Sequence, residues 1–158
     1  MSDKLNIWFK RFLDIALVIG MVIEITVPFG LRKAVDSVVF ALGDATEYAE
    51  IKNNYLFAVI SIMLAGAFSL LILFELRKMM KTVIEDNCFI HENVTSLYRM
   101  GNYAFAIAAI KILRNFVYFT PASIVVAAVF LFAGILSKVL AKVFDKAVNY
   151  KEENDLTI

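Results

Sequence analysis

Residues 55–74, YLFAVISIMLAGAFSLLILF, are apolar over their full length and contain no charged side chain. A helix needs about 20 mostly apolar residues to cross the hydrocarbon core of a bilayer, because each residue adds about 1.5 Å. This stretch meets that requirement by itself. The chain is therefore predicted to be an integral membrane protein.

The composition of the whole chain supports the same prediction. Hydrophobic residues make up 61% of the 158 residues, whereas an average soluble domain is roughly 45–50% apolar. The formal net charge of +1 argues against direct binding of nucleic acid, which needs a strongly basic surface. A single cysteine cannot form a disulfide within the chain.

Three further apolar runs predict an all-α fold with four transmembrane helices. These runs lie at about 12–29, 103–119 and 122–137. None alternates in polarity at every second residue, as the strands of a membrane β-barrel would. The first run lacks an A-x-A cleavage pattern and is interrupted by Glu24, so we expect a retained helix and not a cleaved signal peptide. Residues 1–158 are expected to form a single transmembrane domain.

The distribution of basic residues predicts the orientation of these helices. Lysines and arginines are concentrated in the N-terminal segment, in the link between the second and third runs, and after the fourth run. The link between the first and second runs contains only Arg32, Lys33 and Lys52. Because cytoplasmic loops carry the excess of basic residues, both termini are expected to be cytoplasmic.

Amphipathic segments follow the second and fourth apolar runs, at about 75–87 and 138–150. In the first segment Leu76, Met79 and Val83 recur at helical spacing on one face, and lysines and an arginine occupy the opposite face. Such helices either lie at the cytoplasmic interface or continue the spanning helices out of the membrane. The pattern leaves both arrangements open.

Three ionisable residues fall well inside the predicted spans: Glu24 in the first, and Lys111 and Arg114 in the third. Counted from the starts of their apolar runs, Glu24 and Arg114 lie at similar depths and carry opposite charges. We therefore expect an intramembrane pair of Glu24 with Arg114, with Lys111 as a second partner. The pair either registers one helix against the other or forms a polar pocket for a proton, an ion or an anionic ligand.

No set of residues in the chain predicts catalysis, a metal site or a cofactor. The segment 85–92 gathers Cys88, His91 and carboxylates, but it contains the chain's one cysteine and one histidine, and zinc sites need three or four converging ligands. A solvated loop that caps the next helix is the favoured interpretation. We expect a non-enzymatic protein.

Two strings carry a resemblance to a known family: CFIHENVTSLYRMG at 88–101 and YKEENDLTI at 150–158. With four spans, they resemble an uncharacterised family of small bacterial membrane proteins, a domain of unknown function, which shares a Glu-Asn-x-x-x-Leu-x-x-x-Gly stretch and a Glu-Asn-Asp-Leu-Thr-Ile-like tail. A proline commonly precedes the phenylalanine of the first string, where this chain has Cys88. In that family the gene often neighbours a Cro/C1-type helix-turn-helix regulator. The resemblance therefore implies a regulatory partnership but no known activity.

The expected function is that of a sensor or regulator in the bacterial cytoplasmic membrane, which docks a small helix-turn-helix protein on its cytoplasmic side. The expected docking residues are Glu92, Asn93, Glu152, Glu153, Asn154 and Asp155. Alternatively, the acidic tail folds back on Arg77 or Lys81 as an intramolecular clamp.

Two other functions are compatible with the sequence. One is a small transporter or channel subunit, a homodimer for instance, that uses Glu24, Lys111 and Arg114 along a polar path. The other is an immunity or accessory protein for a toxic peptide or an exporter.

Overall fold

The computed structural model describes residues 2–42 and 47–155, which form five α-helices. The helices are α1 (Ser2–Leu42), α2 (Glu47–Asn53), α3 (Tyr55–Ile84), α4 (His91–Val117) and α5 (Pro121–Asp155). The described ranges contain no β-strand. The all-α prediction is confirmed.

Three of the described helices are long and apolar enough to cross a membrane. The segments that meet this condition are Lys4–Ala41 in α1, Tyr55–Ile84 in α3 and Pro121–Asn154 in α5. With 41 residues, α1 is about 60 Å long, roughly twice the thickness of a bilayer's hydrocarbon core. α4, which carries Lys111 and Arg114 in its apolar half, is not among the three. Three of the four predicted spans thus lie in helices that are long and apolar enough to cross a membrane.

The first helix continues well beyond the predicted span at 12–29. It extends to Leu42 with Pro28 in its interior, although proline removes one helical hydrogen bond. The hydroxyl of Tyr55 on α3 donates to the carbonyl oxygen of Pro28 at 3.3 Å, and Val35 is buried one turn or more beyond it. These tertiary contacts explain why the segment after the proline is helical and not an open link.

Both segments that were predicted to be amphipathic continue the preceding apolar helices without a break. α3 runs from its apolar half into the basic segment and ends at Ile84, and α5 does the same up to Asp155. The end of α3 is a left-handed turn, in which Asp86 has a φ of 53° and the Asn87 amide donates to the Thr82 carbonyl at 2.9 Å. This pattern satisfies carbonyls that the last helical turn leaves free.

The four long helices form an open antiparallel layer in chain order. α1 packs against α3, α3 against α4, and α4 against α5, while the short α2 packs mainly on α1. In the described ranges α1 contacts neither α4 nor α5, so a closed four-helix bundle is not formed. Consequently α1 and α5 each have one face that no other helix covers.

Small residues allow the close approach of α4 and α5. A β-carbon at Gly101 would lie 2.8 Å from Cγ of Lys138 and 3.1 Å from the carbonyl oxygen of Gly134. A β-carbon at Gly134 would lie 2.7 Å from the ring of Phe105. Glycines of this kind let helix backbones pack closely in membranes.

We predict that Gly101→Leu lowers the free energy of unfolding by about 1–3 kcal/mol, because the new side chain must displace backbone and not only a flexible side chain. The measurement is the apparent Tm of the purified protein in detergent. Gly30→Leu is the matched control, since no atom lies within 4 Å of a β-carbon there. Equal Tm values for the two variants would contradict the close packing of α4 on α5.

Candidate functional site

A buried carboxylate joins α3 to α4 immediately after the apolar half of α3. Glu75 is only 4% exposed. Its Oε2 accepts a hydrogen bond from Oγ of Ser96 at 2.7 Å, and its Oε1 accepts one from Nη1 of Arg99 at 3.2 Å. Ser96 and Arg99 are one turn apart on α4, so both reach the same carboxylate. The carboxylate is therefore solvated by the protein itself, as a buried charge requires.

Asn93 closes the turn between α3 and α4. It is 1% exposed, and its Nδ2 donates to Oγ1 of Thr82 at 2.6 Å and to the carbonyl oxygen of Cys88 at 2.7 Å. The sequence suggested Asn93 as part of an exposed docking face. The structure instead buries it, because its amide satisfies groups on both sides of the turn.

The C-terminal half of α5 completes a three-helix unit with these segments. Oγ of Ser137 donates to the carbonyl oxygen of Leu97 at 2.7 Å, and Met79, Leu97 and Ala141 form a small buried apolar cluster. We call residues 75–101 and 137–155 the polar cap. It contains buried polar bonds as well as a small apolar cluster.

Exposed polar contacts join the end of α5 to the start of α4. Nε2 of His91 lies 3.2 Å from Oε1 of Glu152, and Nδ1 of His91 lies 4.0 Å from Asp145. Nζ of Lys151 donates to Asn87 at 2.9 Å. Such exposed pairs contribute at most about 1 kcal/mol each, so they orient the end of α5 more than they stabilise it.

The predicted clamp partners of the tail are engaged elsewhere. Arg77 pairs with Asp14 on α1, and Lys81 lies 4.0 Å from Glu85. α5 stays helical up to Asp155, and Glu152 near its end contacts His91 at the beginning of α4.

The remaining docking residues have different surroundings. Glu92 is exposed and its Oε1 lies 3.0 Å from Nζ of Lys78. Glu153 and Asn154 are exposed and each has an interaction partner. The side chain of Asp155 and residues 156–158 lie outside the described part of the chain.

The charged residues that were predicted to pair inside the membrane are not brought together. The carboxylate of Glu24 lies against Gly66 of α3, where a β-carbon would overlap it. Nη2 of Arg114 donates to Oγ1 of Thr120 at 2.6 Å, and its guanidinium lies 5.1 Å from the centre of the Tyr118 ring. Within residues 2–42 and 47–155, no ion pair links Glu24 to Arg114 or to Lys111. The predicted pair is therefore wrong for the folded chain.

The register of the helices explains why that pair does not form. The rings of Phe68 and Tyr103 are 5.9 Å apart, so the start of the third predicted span is nearly level with Glu24. Arg114 then lies roughly 13 Å farther along the layer. In addition, α3 separates α1 from α4. The apolar runs begin at different depths, and counting from their starts gave a false match.

Arg114 and Tyr118 leave polar atoms unsatisfied at the far end of α4. Nε of Arg114 and the hydroxyl of Tyr118 are buried and, among the described residues, have no hydrogen-bond partner. Asn115 accepts hydrogen bonds from the Ser123 hydroxyl and the Thr120 amide across the same turn. These hydrogen bonds hold the α4–α5 turn together. They also place the Arg114 guanidinium near the negative end of the α4 dipole.

Sequence reasoning missed Glu75, Ser96 and Arg99 as a group. The sequence contained evidence for this group. Glu75 stands between an apolar run and a basic segment, and Ser96 and Arg99 are three residues apart inside the string 88–101, so they share one helical face. In the described ranges, no three histidine, cysteine or acidic side chains converge as metal ligands.

We predict that Ser96→Ala lowers the free energy of unfolding by about 1–3 kcal/mol, because it leaves a buried carboxylate oxygen without its donor. Glu92→Gln, which removes one partner of an exposed pair, should cost less than about 1 kcal/mol. The apparent Tm in detergent reports both effects. Equal losses would show that the Glu75 cluster contributes no more than a surface contact.

We also predict that Glu24→Gln and Arg114→Gln act independently of each other. Residues that are distant and share no partner usually show coupling below about 0.5 kcal/mol. A double-mutant cycle on unfolding in detergent measures this coupling. A coupling energy above about 1 kcal/mol would restore the direct pair.

Comparison with known proteins identifies a family but no activity. No curated protein and no solved structure matches the chain. The family model described as "Protein of unknown function (DUF2975)" matches residues 40–158, a range that includes α2 to α5 and both strings from which the resemblance was drawn. The expectation of a domain of unknown function is confirmed, and the chain belongs to the DUF2975 family of proteins of unknown function.

Proposed function

We propose that the protein is a non-enzymatic anchor in the bacterial cytoplasmic membrane that holds a cytoplasmic regulatory protein at its polar cap. The supporting observation is the cap itself. It folds around Glu75, just beyond the apolar half of α3. The hydrogen bonds that Glu75 accepts from Ser96 and Arg99 hold α4 against α3. A rigid folded surface at the membrane is suited to binding a partner.

The proposed topology has four spans with both termini in the cytoplasm. α4 lies between α3 and α5 and runs antiparallel to both. If α3 and α5 cross the bilayer, α4 must cross with them, and its charged residues are shielded by neighbours on two sides. The end that carries the cap also has most of the basic residues, in agreement with the positive-inside rule.

The surface of the cap has the features of a protein-binding surface. Phe89 is 43% exposed and Tyr150 is 65% exposed, and aromatic residues are enriched at interfaces. The acidic side chains Glu92, Glu152 and Glu153 are exposed as well. Basic side chains that a DNA-binding protein uses for phosphates would replace Lys78 and His91 as the partners of Glu92 and Glu152.

These features suggest a tethering mechanism for a small helix-turn-helix regulator. Acidic residues of the cap would occupy the basic surface of the regulator, so that binding to the membrane protein and binding to DNA exclude each other. A signal that releases the regulator would then change transcription without any chemistry in the membrane protein.

We predict that a small helix-turn-helix protein co-purifies with the full-length protein from its native membrane, and that Glu92→Lys/Glu152→Lys reduces the recovered amount at least tenfold. Asp36→Lys/Glu50→Lys, which reverses two exposed acids at the opposite end of the layer, is the matched control and should retain the partner. Quantitative mass spectrometry of the purified complexes measures recovery. Equal recovery with all three proteins, or no helix-turn-helix protein with any, would refute the proposal.

A transporter that uses Glu24, Lys111 and Arg114 receives less support from this arrangement. Glu24 packs on α3, whereas Arg114 bonds across the α4–α5 turn at a different depth. One copy of the chain therefore does not line up these charges along a path.

A further inference from the structure

Two adjoining cavities lie between α1 and α3. The first, of about 460 Å³, is lined mainly by apolar side chains, among them Leu17, Val18 and Leu71, and at one end by the paired Asp14 and Arg77. The second, of about 430 Å³, is lined by four basic residues, Lys10, Arg77, Lys78 and Lys81, together with Phe74. Phe74 and Arg77 belong to both cavities. We call the combined feature the α1–α3 groove.

The apolar part of the groove is open to its surroundings. Val18, Met21 and Leu71 line it and remain 60%, 48% and 42% exposed. In the described ranges α4 and α5 do not contact α1, so neither covers the groove. In the proposed topology this part lies within the hydrocarbon core, one to two helical turns inward from the Asp14–Arg77 pair.

The basic part lies at the level where that hydrocarbon core ends. Arg77 pairs with Asp14, Lys78 with Glu92, and Lys81 weakly with Glu85. Lys10 has no carboxylate partner among the described residues, so four cations face three carboxylates. The three pairs are all partly solvent-exposed and therefore weak. A phosphate that contacts several of these cations together can compete with them.

We propose that the α1–α3 groove binds one anionic phospholipid of the inner leaflet. Its phosphate would lie among Lys10, Lys78 and Lys81, and one acyl chain would lie along Leu17, Val18 and Leu71. Phe74 forms the boundary between the two environments. The proposal rests on the orientation proposed above and not on a protein partner. Basic pockets between transmembrane helices on the cytoplasmic side are the expected sites for anionic headgroups.

The two-part shape selects a lipid over related ligands. Inorganic phosphate matches the basic part but leaves the apolar part empty. A zwitterionic lipid matches the apolar part, but its headgroup carries its own cation, which offsets the attraction of the lysines. An anionic phospholipid satisfies both parts.

Native mass spectrometry of the full-length protein in detergent tests the proposal with phosphatidylglycerol and with phosphatidylcholine of the same acyl chains. We expect one phosphatidylglycerol to bind at least tenfold more tightly than phosphatidylcholine. Lys10→Gln/Lys81→Gln should weaken phosphatidylglycerol binding on the order of tenfold, since each basic residue near an anionic headgroup contributes appreciably. Leu71→Trp, which fills the apolar part, should weaken it as well.

Lys142→Gln/Lys146→Gln is the matched control, because it removes two exposed lysines from α5, away from the groove. This variant should bind phosphatidylglycerol as the unmodified protein does, and all variants should keep the apparent Tm. Equal binding of the two lipids would overturn the proposal. An equal loss in the α5 control would do so too, since it would indicate diffuse attraction, as would full displacement by inorganic phosphate. None of these outcomes depends on the cytoplasmic partner, so the two proposals fail separately.

Discussion

The Glu75 carboxylate constrains how α4 packs on α3, and the rest of the layer follows from that contact. A carboxylate with 4% exposure needs donors, and Ser96 and Arg99 can supply them together in one rotation and one register of α4. That register turns Asn93 into the α3–α4 turn and places Leu97 against α5. It is consistent with the ring contact of Phe57 with Tyr118, 6.4 Å apart, near the far end of both helices.

The open order of the helices determines which surfaces are available. α3 and α4 each have two long neighbours, whereas α1 and α5 have one. Glycines lie where neighbouring helices approach closely. Gly20 and Gly66 lie between α1 and α3, and Gly101 and Gly134 lie between α4 and α5. In the apolar segments, the outer helices expose large apolar side chains such as Val22 and Ile25 of α1 and Val125 and Phe132 of α5, as lipid contact requires. The groove between α1 and α3 arises from the same openness.

Glu24 and Arg114, the two charged residues of the predicted pair, each contact groups close to them in the fold. Glu24 fits over Gly66, which has no side chain to displace it. Arg114 bonds Thr120 and stacks on Tyr118, so it holds the turn into α5. Because Glu24 packs on α3 and Arg114 bonds at the α4–α5 turn, neither residue has the other as a partner across α3. This arrangement is the reason for proposing that the polar cap, and not the membrane interior, carries the function.

The hydrophobic runs in the sequence were sufficient to predict an all-helical chain with helices long and apolar enough to cross a membrane, because the length of an apolar run and the thickness of a bilayer are linked by a constant rise per residue. The strings 88–101 and 150–158 were sufficient to suggest a family of unknown function. Tertiary structure decided the depth of each charge, the burial of Asn93 and the role of Glu75. These depend on the relative register of helices, which arises from contacts between residues far apart in the chain, such as Phe68 with Tyr103. Apolar periodicity along one helix contains no information about that register.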